Sequence, residues 1–190
     1  MNNTELYNKL TECGYTKVWL PEMELLPQDM MDFRKQLWND SFDLDGLTVF
    51  AVNGHGDLFA WRDDDSVVFI DIDSGMCREF ALNLADALYR RIVEFANGDY
   101  ADMCSNEEKA DIDPDDADYY ISEEEAVGLL EKYNSTFGEF FGKEQRDYIS
   151  ALIQQGFLPD ADAFITEDEL MRLLREQIKA DSSPDRNICR

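Results

Sequence analysis

Hydrophobic positions first recur with helical spacing at residues 4–12 (TELYNKLTE), which predicts a short amphipathic helix. Tyr15–Leu20 (YTKVWL) is dominated by β-branched and aromatic residues and predicts a strand. Pro27 suits the first position of a following helix, where its missing N–H goes unused. Met30, Phe33 and Leu37 then fall at i, i+3 and i+7, the spacing of one buried stripe. The middle of the chain changes period. Leu47–Val52, Asp57–Arg62, Ser66–Ile72 and Met76–Leu82 read as successive strands. They are separated by Asn53-Gly54-His55-Gly56, by Asp63-Asp64-Asp65 and by Asp73-Ser74-Gly75. Asn53-Gly54 is a hairpin signal, because both residues tolerate positive φ. Turns about every ten residues predict an antiparallel meander.

Asn83, with Asp86 three residues on, is a suitable N-cap for the next helix. Leu84, Leu88, Ile92 and Phe95 would line its buried face, and Asn97-Gly98 is a stop signal. Periodicity then lapses over 99–121 and returns as helix. Ser122-Glu123-Glu124-Glu125 is a capping box, followed by an apolar stripe of Ala126, Leu129, Leu130 and Tyr133. A helix near 143–155 would bury Ile149, Leu152 and Ile153. Thr166-Glu167-Asp168-Glu169 is a second capping box, before Leu170, Leu173, Leu174 and Ile178. The expected fold is α+β: an antiparallel sheet meander flanked by helices, with a C-terminal helical extension. The expected divisions are an α+β domain over 1–98, an acidic linker or loop over 99–121, a helical extension over 122–180, and a disordered tail over 181–190.

Charge narrows the function classes. Among 190 residues, 42 Asp and Glu stand against 17 Lys and Arg, a net charge of −25. Such a field repels phosphate backbones and anionic lipid, so neither nucleic acid nor a membrane surface is an expected partner. The segment from Asn97 to Glu125 holds twelve acidic residues against one basic residue, Lys109, a net of −11. The apolar fraction of 44% indicates a folded chain and not an acidic disordered tail. No apolar run is long enough to span a membrane, and MNNTELYNKL lacks the basic and apolar regions of a signal peptide. Cys13, Cys77, Cys104 and Cys189 are widely spaced and form no C-x-x-C pair. That pattern disfavours a thiolate zinc site and a disulfide scaffold, and suits a reducing cytoplasm.

The single histidine, His55, excludes metal sites built on two or three His ligands. It lies in a turn with no Ser, Cys or Asp placed by sequence to make it a base, so a solvated ring is the expectation. Gly54-His55-Gly56 lies between strands and lacks the helix N-terminus of a phosphate cradle. Trp19, Trp38 and Trp61 read as core or interface anchors. No catalytic residue and no cofactor is expected.

One internal repeat stands out. Residues 116–125 match 160–169 at an offset of 44, and Leu129-Leu130 matches Leu173-Leu174. The pattern resembles the EF-hand calcium loop, with Glu125 and Glu169 at its twelfth position. Asp116 with Asp118, and Asp160 with Asp162, fall at the third and fifth. Both copies depart from the loop in the same way. The first ligand position holds Pro114 or Leu158, and the sixth, normally Gly, holds Tyr119 or Ala163. Turn chemistry from Asp-x-Asp and a capping Ser or Thr explains the repeat without a metal.

Residues 27–95 resemble a known family. The order of PQDMMDFRKQL at 27–37, Phe50-Ala51-Val52-Asn53-Gly54-His55-Gly56-Asp57-Leu58-Phe59-Ala60-Trp61, SVVFIDID at 66–73 with Ser74-Gly75, and the helix from Asn83 is similar to the SUKH superfamily, the Smi/Knr-type domain of bacterial immunity proteins. A related immunity family attached to type VI secretion effectors shares the Gly-Asp-x-Phe-x-Trp hairpin. The segment Trp38-Asn39-Asp40-Ser41 departs from the SUKH pattern, which places Asn-Gly there, and the helical 122–179 region is additional. The resemblance implies a non-enzymatic immunity protein that binds and neutralises a cognate antibacterial toxin with a basic surface, a nuclease being one such toxin. Candidate contacts are Asp63, Asp64 and Asp65, and Asp111, Asp113, Asp115, Asp116 and Asp118. A general interaction or scaffold module is the alternative, and a calcium-responsive module the third.

Overall fold

The computed structural model describes residues 1–96, 102–104, 106–113, 120–155 and 186–187. They fall into two units, one holding Met1–Leu88 with the strand at 186–187, the other beginning at Tyr89. The division lies inside a helix, ten residues before the sequence-based boundary at 98.

The first unit is built on the expected meander. Strands β1 (Glu24–Leu25), β2 (Thr48–Val52), β3 (Leu58–Trp61), β4 (Val67–Asp71) and β5 (Met76–Ala81) pair in order, each neighbour antiparallel, and a short strand at Arg186–Asn187 pairs with β5. Every residue of β3 is buried, so the centre of the sheet is covered on both faces. That is why these strands read as near-continuous apolar runs and not as strict alternation. Two bulges shape one aromatic cluster. Val49 faces Ala60 and Ala51 faces Phe59, leaving Phe50 as the extra residue of β2. Val67 faces Ala81 and Val68 faces Glu79, leaving Phe80 as the extra residue of β5. Both rings then pack on the central Phe59, at centroid distances of 6.4 and 5.2 Å, and Phe69 joins at 5.1 Å. Bulges locally re-aim side chains, and here they bring the phenylalanines of two strands onto a ring that Phe69 already faces across the ladder.

Helix α1 (Asn3–Glu12) carries the Asn2 capping box, with Glu5 N–H donating to Asn2 Oδ1 at 2.8 Å. It buries Leu6, Tyr7 and Leu10. The Tyr7 ring meets Trp61 at 5.7 Å and Phe50 at 6.4 Å, and its hydroxyl donates to the Leu26 carbonyl. Burial pushes the Tyr7 phenol well above its ordinary pKa. Each such fully buried side chain contributes about 1.5–3 kcal/mol.

Four expectations are corrected. Residues 15–20 form no strand: Gly14 takes φ +73°, and Tyr15–Lys17 closes a 3₁₀ turn with Val18 N–H on the Tyr15 carbonyl. The place beside β2 belongs to Glu24–Leu25, so the alternating residues at 15–20 have no ladder to join, and Trp19 stands exposed. Helix α2 (Gln28–Trp38) starts with Pro27 as its N-cap, but its Met30–Phe33–Leu37 stripe does not face the core. The helix buries Met31 instead, and Trp38 packs on Phe42 at 5.7 Å. The β2–β3 turn takes positive φ at Gly56 and not at Asn53-Gly54. Asn53 acts through its side chain, whose Oδ1 accepts from His55 N–H at 3.0 Å and Asp57 N–H at 2.8 Å. Finally, the stretch 99–121 is not simply a linker or loop. It contains β6 (Asp102–Cys104), α4 (Asn106–Asp111) and the start of β7 (Tyr120–Ser122), and β6 pairs with β7 in parallel.

Helix α3 (Leu84–Ala96) begins at the Asn83 cap, whose Oδ1 accepts Asp86 N–H at 3.0 Å. In the second unit its later residues Tyr89, Ile92 and Phe95 are buried. Helix α5 (Glu123–Phe137) brings Tyr133 against Phe95 at 5.8 Å. Phe141 meets Tyr89 at 5.7 Å, and helix α6 (Lys143–Gln155) buries Ile149 and Leu152. Glu94 is buried, and its two carboxylate oxygens accept from Arg90 Nε at 2.7 Å and a terminal nitrogen of Arg91 at 2.8 Å. Two guanidinium partners compensate the cost of burying that charge. The region of 156–180, including the second capping box, and the tail from 181 apart from Arg186–Asn187 lie outside the described residues.

Candidate interaction surface

The sequence-based contacts separate into engaged and exposed carboxylates. At the β3–β4 turn, Asp65 takes φ +68° and its N–H donates to the Arg62 carbonyl. Its carboxylate accepts Asn3 N–H at 2.9 Å, and its carbonyl accepts the Asn3 side-chain amide at 2.7 Å. Asp64 Oδ1 accepts both Ser66 N–H at 3.0 Å and the Ser66 hydroxyl at 2.5 Å. Asp64 and Asp65 therefore hold the turn itself; Asp63 and Asp64 are both exposed, and Asp63 makes no such bond among the described residues. Asp111 and Asp113 are exposed at and just beyond the end of α4. Asp115, Asp116 and Asp118 lie outside the described residues.

Glu125 serves the helix and not a metal. Its Oε2 accepts Ser122 N–H at 2.9 Å, and the Ser122 hydroxyl accepts Glu125 N–H at 3.3 Å. Lys109 Nζ lies 2.6 Å from the same oxygen and also donates to the Tyr120 carbonyl. The Lys109 ammonium, then the Ser122 N–H, hold the Glu125 carboxyl below the usual carboxylate range. A cation bound there would have to displace a lysine. Asp160, Asp162 and Glu169 lie outside the described residues, and among those described no cluster of three or more His, Cys, Asp or Glu is placed to hold a metal ion. His55 is exposed on its turn. Asp71 closes the β4–β5 turn, accepting Ser74 N–H at 2.9 Å and Asp73 N–H at 3.0 Å, and those donors hold its carboxyl low.

A further set of exposed carboxylates lies elsewhere among the described residues of the first unit. Along α2 and the loop after it, Asp29, Asp32, Asp40, Asp43 and Asp45 are all exposed. Of the cations in the same stretch, Arg34 and Lys35 are half-buried, and Lys35 Nζ donates to the Leu47 carbonyl at 2.8 Å. The sequence-based contacts at 63–65 and 111–118 follow the densest acidic runs and do not include these residues. Their signal was the Asp29/Asp32 spacing followed by Asp40, Asp43 and Asp45.

No protein-family model matches the sequence, and comparison with curated proteins and with solved structures finds no significant match. Among the described residues no helix is long and apolar enough to cross a membrane.

Proposed function

We propose that this chain is a non-enzymatic immunity-type protein that binds a cognate toxin through the toxin's basic surface and blocks it. The observation that carries the reading is the set of exposed carboxylates along α2 and the following loop, on a chain of net charge −25, with the neighbouring Lys35 bonded to the Leu47 carbonyl. Carboxylates so displayed stand where phosphates would stand for a nuclease cleft, and long-range attraction speeds encounter with a cationic surface. The order of hairpin, strand, turn and helix over 27–95, similar to SUKH-type domains, supports the same reading. The four cysteines, widely spaced and with no C-x-x-C pair, suit action in a reducing cytoplasm.

The test is co-expression with the product of the adjacent upstream reading frame. Rescue of growth from that product, together with a stable complex of the two purified proteins, supports the proposal. A product that is neither toxic nor bound contradicts it.

A further inference from the structure

We infer that α2 anchors this binding surface, and that what it takes is a cationic amphipathic segment, an apolar strip flanked by Lys or Arg. The inference rests on the proposed binding of a basic protein and adds which side chains make the contact. An α-helix advances about 100° per residue. Met30, Phe33 and Leu37 therefore share one stripe, and Asp29, Asp32 and Gln36 form the row beside it. Met31, Lys35 and Trp38 lie on the far side, where Met31 is buried and Lys35 is bonded to Leu47. The helix thus has two apolar faces, and only one is covered. Phe33 and Leu37 are each 53% exposed, two of the few large apolar side chains so exposed among the described residues. A helix packed on one side ordinarily carries polar residues at such outward positions. Exposed apolar groups rimmed by charge mark interaction sites.

The rim chooses the occupant. Asp29 and Asp32 beside the stripe are exposed, Lys35 is bonded to the Leu47 carbonyl, and half-buried Arg34 borders Met30 and Leu37 on the opposite side. An anionic lipid surface would set phosphates against that row. A second copy of this chain, docked stripe to antiparallel stripe, would set carboxylates against carboxylates, which opposes association. A segment presenting aliphatic or aromatic side chains between Lys or Arg satisfies stripe and row together, in the manner of a helix laid on a helix face.

The test uses the full chain and two synthetic peptides of about five helical turns. One is an amphipathic Leu–Lys peptide. The other has the same charge with Ser in place of Leu. Backbone amide NMR shifts locate binding, and titration gives affinity. The expected result is that the Leu–Lys peptide perturbs residues 28–40 and binds better than the Lys–Ser peptide. Phe33→Ser/Leu37→Ser should weaken it about tenfold or more, the effect of losing central anchors. Asp29→Asn/Asp32→Asn should weaken it and flatten its salt dependence. Both double variants should keep the parent's urea midpoint, because the changed side chains are exposed. Perturbation centred elsewhere, equal binding of both peptides, or unchanged affinity of the Phe33/Leu37 variant overturns the inference while leaving a basic partner in place. A dimer of this chain that the same variant abolishes also overturns it. If neither peptide binds at low salt, the reading of the chain as a binder of cationic surfaces fails with it.

Discussion

Asn3 and Asp65 are joined twice, Asn3 N–H to the Asp65 carboxylate at 2.9 Å and the Asn3 amide to the Asp65 carbonyl at 2.7 Å. The Asn3 Oδ1 also accepts Leu84 N–H at 2.8 Å. One buried amide therefore ties the start of α1, the acidic turn between β3 and β4, and the first residue of α3. Those pieces are 62 and 81 residues away from it in sequence. The arrangement supplies an orphan donor at the start of α3 with an acceptor. It also holds Asp65 in a left-handed conformation that a non-glycine residue seldom adopts.

Asn3→Ala should destabilise the first unit by about 1–3 kcal/mol, because it strands the buried Leu84 N–H and leaves the part-buried Asp65 carbonyl without its donor. Urea unfolding followed by tryptophan fluorescence measures it. A change below about 0.5 kcal/mol, the size of an ordinary surface substitution, would show that water replaces the amide at no cost.

Phe59 and Phe33 provide a paired contrast. Phe59 is fully buried between the two bulge phenylalanines, so Phe59→Ala should cost about 3–5 kcal/mol. Phe33 is on the uncovered stripe of α2, so Phe33→Ala should change stability by no more than about 0.5 kcal/mol. Equal costs in chemical denaturation would mean that the outward face of α2 is covered after all.

The Glu125 carboxyl is lowered from its ordinary value of 4.5 in the folded chain. Its contribution is therefore fully present above that value and is lost as pH falls through the lower, folded pKa. Glu125→Gln should destabilise the second unit at pH 7, and the gap to the parent should close as pH falls below about 4.5. Denaturation midpoints of parent and variant across that range test the sign. A gap that widens on acidification contradicts the Lys109–Glu125 pairing.

Calcium should give no binding heat in calorimetry at about 1 mM ion, a concentration that fills even weak extracellular-type sites. Glu125 is already bonded to Lys109 and to Ser122 N–H. A saturable isotherm would return Asp116, Asp118, Asp160, Asp162 and Glu169 to consideration as ligands.

Much of this architecture was legible in the residues. The meander follows from apolar runs cut by Asp63-Asp64-Asp65 and Asp73-Ser74-Gly75, where Asp65 and Gly75 do take positive φ. Asn83 and Ser122 cap the helices they were expected to cap. What failed was the assignment of faces. In α2, Met30–Phe33–Leu37 and Met31–Trp38 are rival apolar stripes, and periodicity cannot say which meets the core. At 15–20 a strand pattern had no neighbouring strand, a tertiary fact invisible locally. The acidic surface was misjudged for a related reason. Runs of aspartate mark turns, where carboxylates bind backbone N–H groups, so Asp64 and Asp65 are engaged while the spaced Asp29 and Asp32 are exposed.

Attraction between this anionic chain and a cationic protein face is the central claim, and the association rate with the neighbouring gene's product measures that attraction directly. Stopped-flow mixing across about 0.05–0.5 M salt should show the rate falling by about tenfold or more as screening shortens the reach of the charges. A rate independent of salt would contradict it.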